Sequence, residues 1–188
     1  MPKLHDRLVL FDYVTPLLGG SPGLSRQAAD ELGIALRDTD EGAGPDGTSH
    51  FYGVLAARIG RVKLGGGQLA RYDAHILTHE RAIRQHRPGF RLRYFQYLAA
   101  LYAEVVLDRL ARDPGALLRE AEAHRAAHFP DVPPFTARTL RTLAFWMATG
   151  AGKTLLMHVN LLQVRHYFRD HFQTTLLLVP TETLREQH

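Results

Sequence analysis

The chain has 188 residues, 45% of them hydrophobic and 22% charged, a globular balance with room for one domain or for a small domain plus part of another. It has no cysteine, which excludes disulfides, thiolate catalysis and cysteine-held zinc, and no apolar run approaches the ~20 residues that a membrane-spanning helix needs. The net charge of +4 is a mild bias toward anionic partners, and because only Lys3, Lys63 and Lys153 are lysines the arginine excess reads first as a coding bias.

In chain order, residues 4–18 are apolar, lead into no signal-peptide stretch, and are broken by Pro16 and the turn cluster at 19–23. A cytoplasmic protein with no membrane partner is the expectation. Ser25 is placed to cap a short helix over 27–36, and the acidic, Gly- and Pro-rich stretch 38–49 reads as an exposed loop. Residues 51–59 fit strand or helix equally, and Gly65, Gly66 and Gly67 form a second break. From 69 to 110 the pattern is helical, interrupted at Pro88 and Gly89. Tyr94, Leu98, Leu101, Val105 and Leu110 recur at the steps of a core-facing helix. A further helix, 115–128, follows Asp113 and Pro114 and stops at Pro130, Pro133 and Pro134, the expected domain boundary.

Beyond the prolines the character changes. Residues 136–141 suggest a short helix or turn, 143–147 a buried strand, 153–168 a helix, 176–179 a second strand and 181–188 the start of another helix. Strand, loop, helix, strand, helix is the opening of a parallel α/β sheet. The expected fold class is α/β: a mainly helical region over 1–130, then the first strands and helices of a parallel α/β domain over 131–188.

Ala148, Thr149, Gly150, Ala151, Gly152, Lys153 and Thr154 lie between the first of those apolar runs and its helix. Glycines let backbone amides turn inward to make an anion nest, and the helix that follows adds its positive N-terminal end. Lys153 supplies a point charge for β- and γ-phosphates, and Thr154 a hydroxyl for Mg²⁺. The general motif begins with Gly where this chain has Met147, but the variant Thr-Gly-x-Gly-Lys-Thr is met in full. Downstream, an apolar run leads into Pro180, Thr181, Glu182, Thr183, Leu184 and, three residues later, Gln187. A helix start there offers amides and hydroxyls to a nucleic-acid phosphate; taken alone it is an ordinary capped helix.

With both motifs in place, residues 140–188 resemble the start of superfamily 2 DEAD/DEAH-box helicases, most closely the type III restriction enzyme Res branch. The second motif resembles helicase motif Ia. The resemblance implies a RecA-like domain that binds ATP with Mg²⁺ and couples its hydrolysis to movement along duplex DNA. It also implies a modification or specificity subunit as a partner in a restriction system. Such helicases place an Arg-x-x-Gln element ahead of the P-loop, where the Gln reads adenine, and Arg93, Tyr94, Phe95 and Gln96 have that form. Gln96 lies far upstream of Lys153, and a polar residue on a core helix is the plainer reading. Helicases of this class also need an acidic motif and a second RecA-like domain, neither of which follows Gln187, so the expectation is an N-terminal fragment that turns nucleotide over poorly.

Two rival readings stand beside this one. A different P-loop enzyme, such as a small-molecule kinase, has no use for the element at 180–187. A non-catalytic helical interaction module with a remnant P-loop is the other. His75 with His79 and His124 with His128 have the four-residue spacing of helix-borne metal ligands, but the first pair lacks the metalloprotease Glu and neither shows a third ligand. Arg81, Arg84 and Arg87 share one helix face and read as a solvated surface before they read as a nucleic-acid patch.

Overall fold

The structure is a computed structural model that describes residues 8–20, 25–58, 61–65, 67–145 and 147–169. Seven α-helices appear among the described residues: α1 (Val9–Val14), α2 (Ser25–Arg37), α3 (His50–Ala56), α4 (Gln68–His86), α5 (Tyr94–Arg112), α6 (Pro114–His128) and α7 (Lys153–Tyr167). Short 3-10 turns stand at Thr15–Leu17 and Thr139–Arg141.

Local chemistry sets the helix ends. Ser49 caps α3 by accepting the Tyr52 amide at 2.9 Å, and Asp113 caps α6 by accepting from Ala116 at 2.8 Å, with Pro114 in the first turn. Gly67, with φ of 77°, precedes α4. At the far end of α4, Pro88 and Gly89 (φ 81°) turn the chain, and Glu80 takes the Leu92 amide at 2.9 Å to fix where α5 begins. The stretch that fitted strand or helix is therefore helix in its first part, α3.

α5 is the axis of the molecule and packs against α1, α2, α4, α6 and α7. Leu98, Leu101, Val105 and Leu110 are buried and Tyr94 is half-buried, so the expected apolar face is the one used. Buried polar groups tie the outer helices to it. Asp73 of α4 accepts from the Ser49 amide at 2.9 Å, from the Ser49 hydroxyl, and from Tyr97 of α5 at 2.7 Å. On the opposite side Phe11 stacks on Tyr102 at 4.7 Å, and Asp12 of α1 meets His124 of α6 at 2.8 Å.

The helical half of the α/β expectation is what the described residues display. The strand expected at 143–147 is not formed: Leu143 and Met147 are half-buried against the core, whereas Ala144 and Phe145 are exposed. A strand exists only through its ladder, and no described segment lies alongside to supply the bonds. The only bridges among the described residues are isolated ones, Leu18 with Val62 and Ala43 with Ser49. The second expected strand, 176–179, and the helix after it lie outside the described residues.

The proline segment after α6 is a surface loop pinned to that helix, with the Arg125 guanidinium donating to the Val132 carbonyl at 2.9 Å and the Phe135 amide to Glu122 at 2.9 Å. Leu140, Leu156 and Val159 beyond it belong to the same buried cluster as Leu32, Phe51 and Leu101. One continuous apolar core thus joins the helix after the glycine loop to the helices before the prolines.

Candidate nucleotide-phosphate site

The loop at 148–154 closes through a turn in which the Ala151 amide donates to the Ala148 carbonyl at 3.2 Å. Gly150 and Gly152 take φ of 78° and 79°, a region that other residues enter only at a cost. Gly152 stands at the N-cap of α7 and no side chain caps it, which leaves the first amides of the helix without a side-chain acceptor. Lys153 and Thr154, in the first turn, are exposed. The Lys153 ammonium bends back to the carbonyl oxygens of Met147 and Ala148, at 3.0 and 3.1 Å, and braces the turn.

Gln96 reaches this loop from α5. It is buried, its Oε1 accepts the Arg93 amide at 3.0 Å, and its Nε2 donates to the Ala151 carbonyl at 2.9 Å. Gln96 lies far upstream of the loop in the sequence, yet the packing of α7 on α5 brings the two together. Tyr94 and Phe95 stand edge-to-face at 5.4 Å, beside the same end of α5.

Farther along α7 lies a set of residues that sequence reasoning passed over. Glu104 of α5 is fully buried. Its Oε1 accepts from Gln163 Nε2 at 2.8 Å, and its Oε2 accepts from the Tyr167 hydroxyl at 2.6 Å. Gln163, also fully buried, gives a second bond to the Ala100 carbonyl at 2.8 Å. Burial first, and then the Glu104 carboxyl, push the Tyr167 phenol well above its ordinary value, so it remains a donor. His75 Nδ1 lies 3.2 Å from Glu104 Oε2, and His79 Nε2 lies 3.9 Å from Oε1 with no hydrogen-bond partner. The His166 ring sits 4.2 Å from that of His75. A signal was present: Gln96, Glu104 and Asp108 stand at multiples of four in a long and largely apolar helix, one polar stripe down its length.

The remaining candidates resolve into packing contacts. His124 pairs with buried Asp12, and its ring stacks near that of His128 at 4.6 Å. No group of three or more His, Asp or Glu among the described residues is arranged to hold a metal ion. Arg84 pairs with Glu80 at 2.5 Å, and Arg91 approaches the same carboxyl at 3.9 Å, so part of the arginine face is neutralised from beneath. Pro180, Thr181 and Thr183 lie outside the described residues.

A left-handed glycine at the head of an uncapped helix, followed by exposed Lys and Thr, is the geometry with which proteins of the phosphate-loop class receive a polyphosphate. Residues 106–188 match the family model described as type III restriction enzyme, res subunit, which supports a helicase-like relationship for that part of the chain. No curated protein and no solved structure matches the chain. Among the described residues, no helix is long and apolar enough to cross a membrane.

Proposed function

We propose that this chain carries the ATP-binding and DNA-engaging opening of an ATP-dependent helicase or translocase of the restriction (Res) type. The observation that carries the reading is the head of α7, where Gly150 and Gly152 hold the loop open and Lys153 and Thr154 stand exposed beside free helix amides. The amides from Gly150 to Gly152 receive phosphate oxygens, that of Ala151 leaving the Ala148 carbonyl, as the nest and the helix end favour negative charge there. Lys153 leaves its loop carbonyls for the β- and γ-phosphates, and the Thr154 hydroxyl turns to the Mg²⁺ that accompanies the nucleotide. Thr154 would hold that Mg²⁺, which would supply charge neutralisation of the phosphates.

Pro180, Thr181 and Thr183 take the DNA backbone in this reading, and Gln96, which already touches the loop, lies on the side where the base is held. The family match supports the helicase-like class. We keep the division into a helical region over 1–130 and the beginning of an ATP-binding domain over 131–188, a cytoplasmic location, and a modification or specificity subunit as partner as parts of the same proposal.

The test is binding of a fluorescent ATP analogue with Mg²⁺ to the full chain and to Lys153→Ala. Saturable binding that the substitution weakens at least tenfold is expected. Equal binding by both proteins, or none by a folded wild-type chain, sinks the proposal.

A further inference from the structure

α7 runs alongside α5 in the same direction, and polar contacts tie them at both ends. Gln96 holds the Ala151 carbonyl just before α7 starts. Ala100 and Glu104 hold Gln163 and Tyr167 at equal sequence offset in its last turns, with buried Leu156 and Val159 between. Apolar packing alone is tolerant of sliding, because a leucine accepts many neighbours. A fully buried carboxyl is not tolerant: moved one helical turn, about 5.4 Å, α7 would take both donors away and leave Glu104 desolvated and unsatisfied.

The geometry points to Glu104 as a positioning residue for the phosphate loop: through Gln163 and Tyr167 it sets the height of α7 along α5, and so the place at which Gly152, Lys153 and Thr154 are presented. This rests on the nucleotide-binding reading of the loop. Glu104 touches no part of the loop and acts only through α7, over three turns of helix. Its other neighbours are His75, His79 and His166, with Asp108 one turn on, bound to Arg71, Tyr72 and Arg112. Gln163 and Tyr167 tie the second half of α7 to α5 through the Ala100 carbonyl and the Glu104 carboxyl.

The experiment uses the full chain with Glu104→Gln and Tyr167→Phe, a fluorescent (mant) ATP analogue with Mg²⁺, and hydrogen exchange read by peptide. The amide of Glu104→Gln keeps the shape but replaces one of the two acceptors that Gln163 and Tyr167 use with a donor. Mant-ATP affinity should fall about fivefold, near the value of one lost buried hydrogen bond. Exchange should rise at residues 150–156 while the α1–α6 contact stays protected. Energy transfer from Trp146, the single tryptophan, to the saturated analogue should also change, as it reports where the nucleotide sits and not how stable the fold is. Tyr167→Phe should move all three readouts the same way by less.

If Glu104→Gln folds and leaves affinity, transfer and loop exchange at wild-type values, the inference is overturned. Should Glu104→Gln not fold, Tyr167→Phe decides by the same readouts. If the wild-type chain binds no nucleotide, the functional reading fails on its own, and exchange at 150–156 still decides this inference: raised in the variants it stands, unchanged it falls.

Discussion

Gln96 and Gly152 exclude any enlargement of each other: a Cβ built on Gly152 would stand 2.5 Å from the Gln96 amide nitrogen. Gly152→Ala therefore meets two penalties, the left-handed φ of 79°, worth about 1–2 kcal/mol, and a contact with a side chain held at both ends. The variant should melt lower and lose ATP-analogue binding. Gly152→Ala should cost less in a Gln96→Ala background than in the wild type, since the contact is then gone and only the backbone strain is left. An equal cost in the two backgrounds would show that the contact does not matter.

Asp73 collects three donors in the core, from Ser49 twice and from Tyr97 once. Asp73→Ala leaves the Tyr97 hydroxyl and the Ser49 amide buried without partners and should cost about 2–4 kcal/mol in urea unfolding. Tyr97→Phe, which removes one donor and leaves the carboxyl satisfied by Ser49, should cost about 1 kcal/mol. The order of the two is the firm part of the expectation.

Acid should weaken the α4–α7 contact before the carboxylates elsewhere respond. Burial first, then His166 and His75, hold His79 at about 4, and burial and His75 also depress His166, with Glu104 and Asp108 opposing. Free imidazoles titrate near 6.5, so the unfolded chain binds more protons than the folded one below that pH. The stabilisation is complete above about pH 6.5 and is lost as pH falls toward 4, by up to about tenfold in the folded-to-unfolded ratio per pH unit for one such group. His79→Gln should flatten the pH dependence of unfolding over that window, measured by urea midpoints. A slope unchanged by the substitution would remove His79 as its source.

Leu156 is buried in the first half of α7 and belongs to the core shared with α5. Leu156→Ala should cost about 2–4 kcal/mol in denaturant unfolding through the lost contacts and the cavity. A loss below half a kcal/mol would mean that α7 is not seated as described.

Most of the helices were legible because they carry period, caps and breaks together. α5 shows its apolar face plainly, α6 opens on Asp113 and Pro114, and α4 stops where Pro88 removes an amide. The glycine turn was legible for a different reason, since Gly-x-Gly permits left-handed backbone at two positions, and Gly150 and Gly152 both take it. What stayed hidden depends on pairing across long separations. The run at 143–147 has a strand's composition, but composition supplies no ladder, and its two ends turn to the core while Ala144 and Phe145 face water. Gln96 looked remote from Lys153 because sequence distance says nothing about which helix will lie beside the loop. Glu104 and Gln163 looked like ordinary polar residues on separate helices, and only their encounter makes either one intelligible.

Residue 106, where the family match begins, falls in the middle of α5. Anyone grafting this glycine loop into another scaffold by following that boundary would transfer α7 with the second half of its cradle and leave the first half behind. Gln96, Ala100 and Glu104 all sit on the discarded side. A chimera joined at about residue 90, ahead of α5, would carry the loop together with those three contacts. A library built at the two junctions would show whether a sequence family's edge and a mechanical unit's edge coincide.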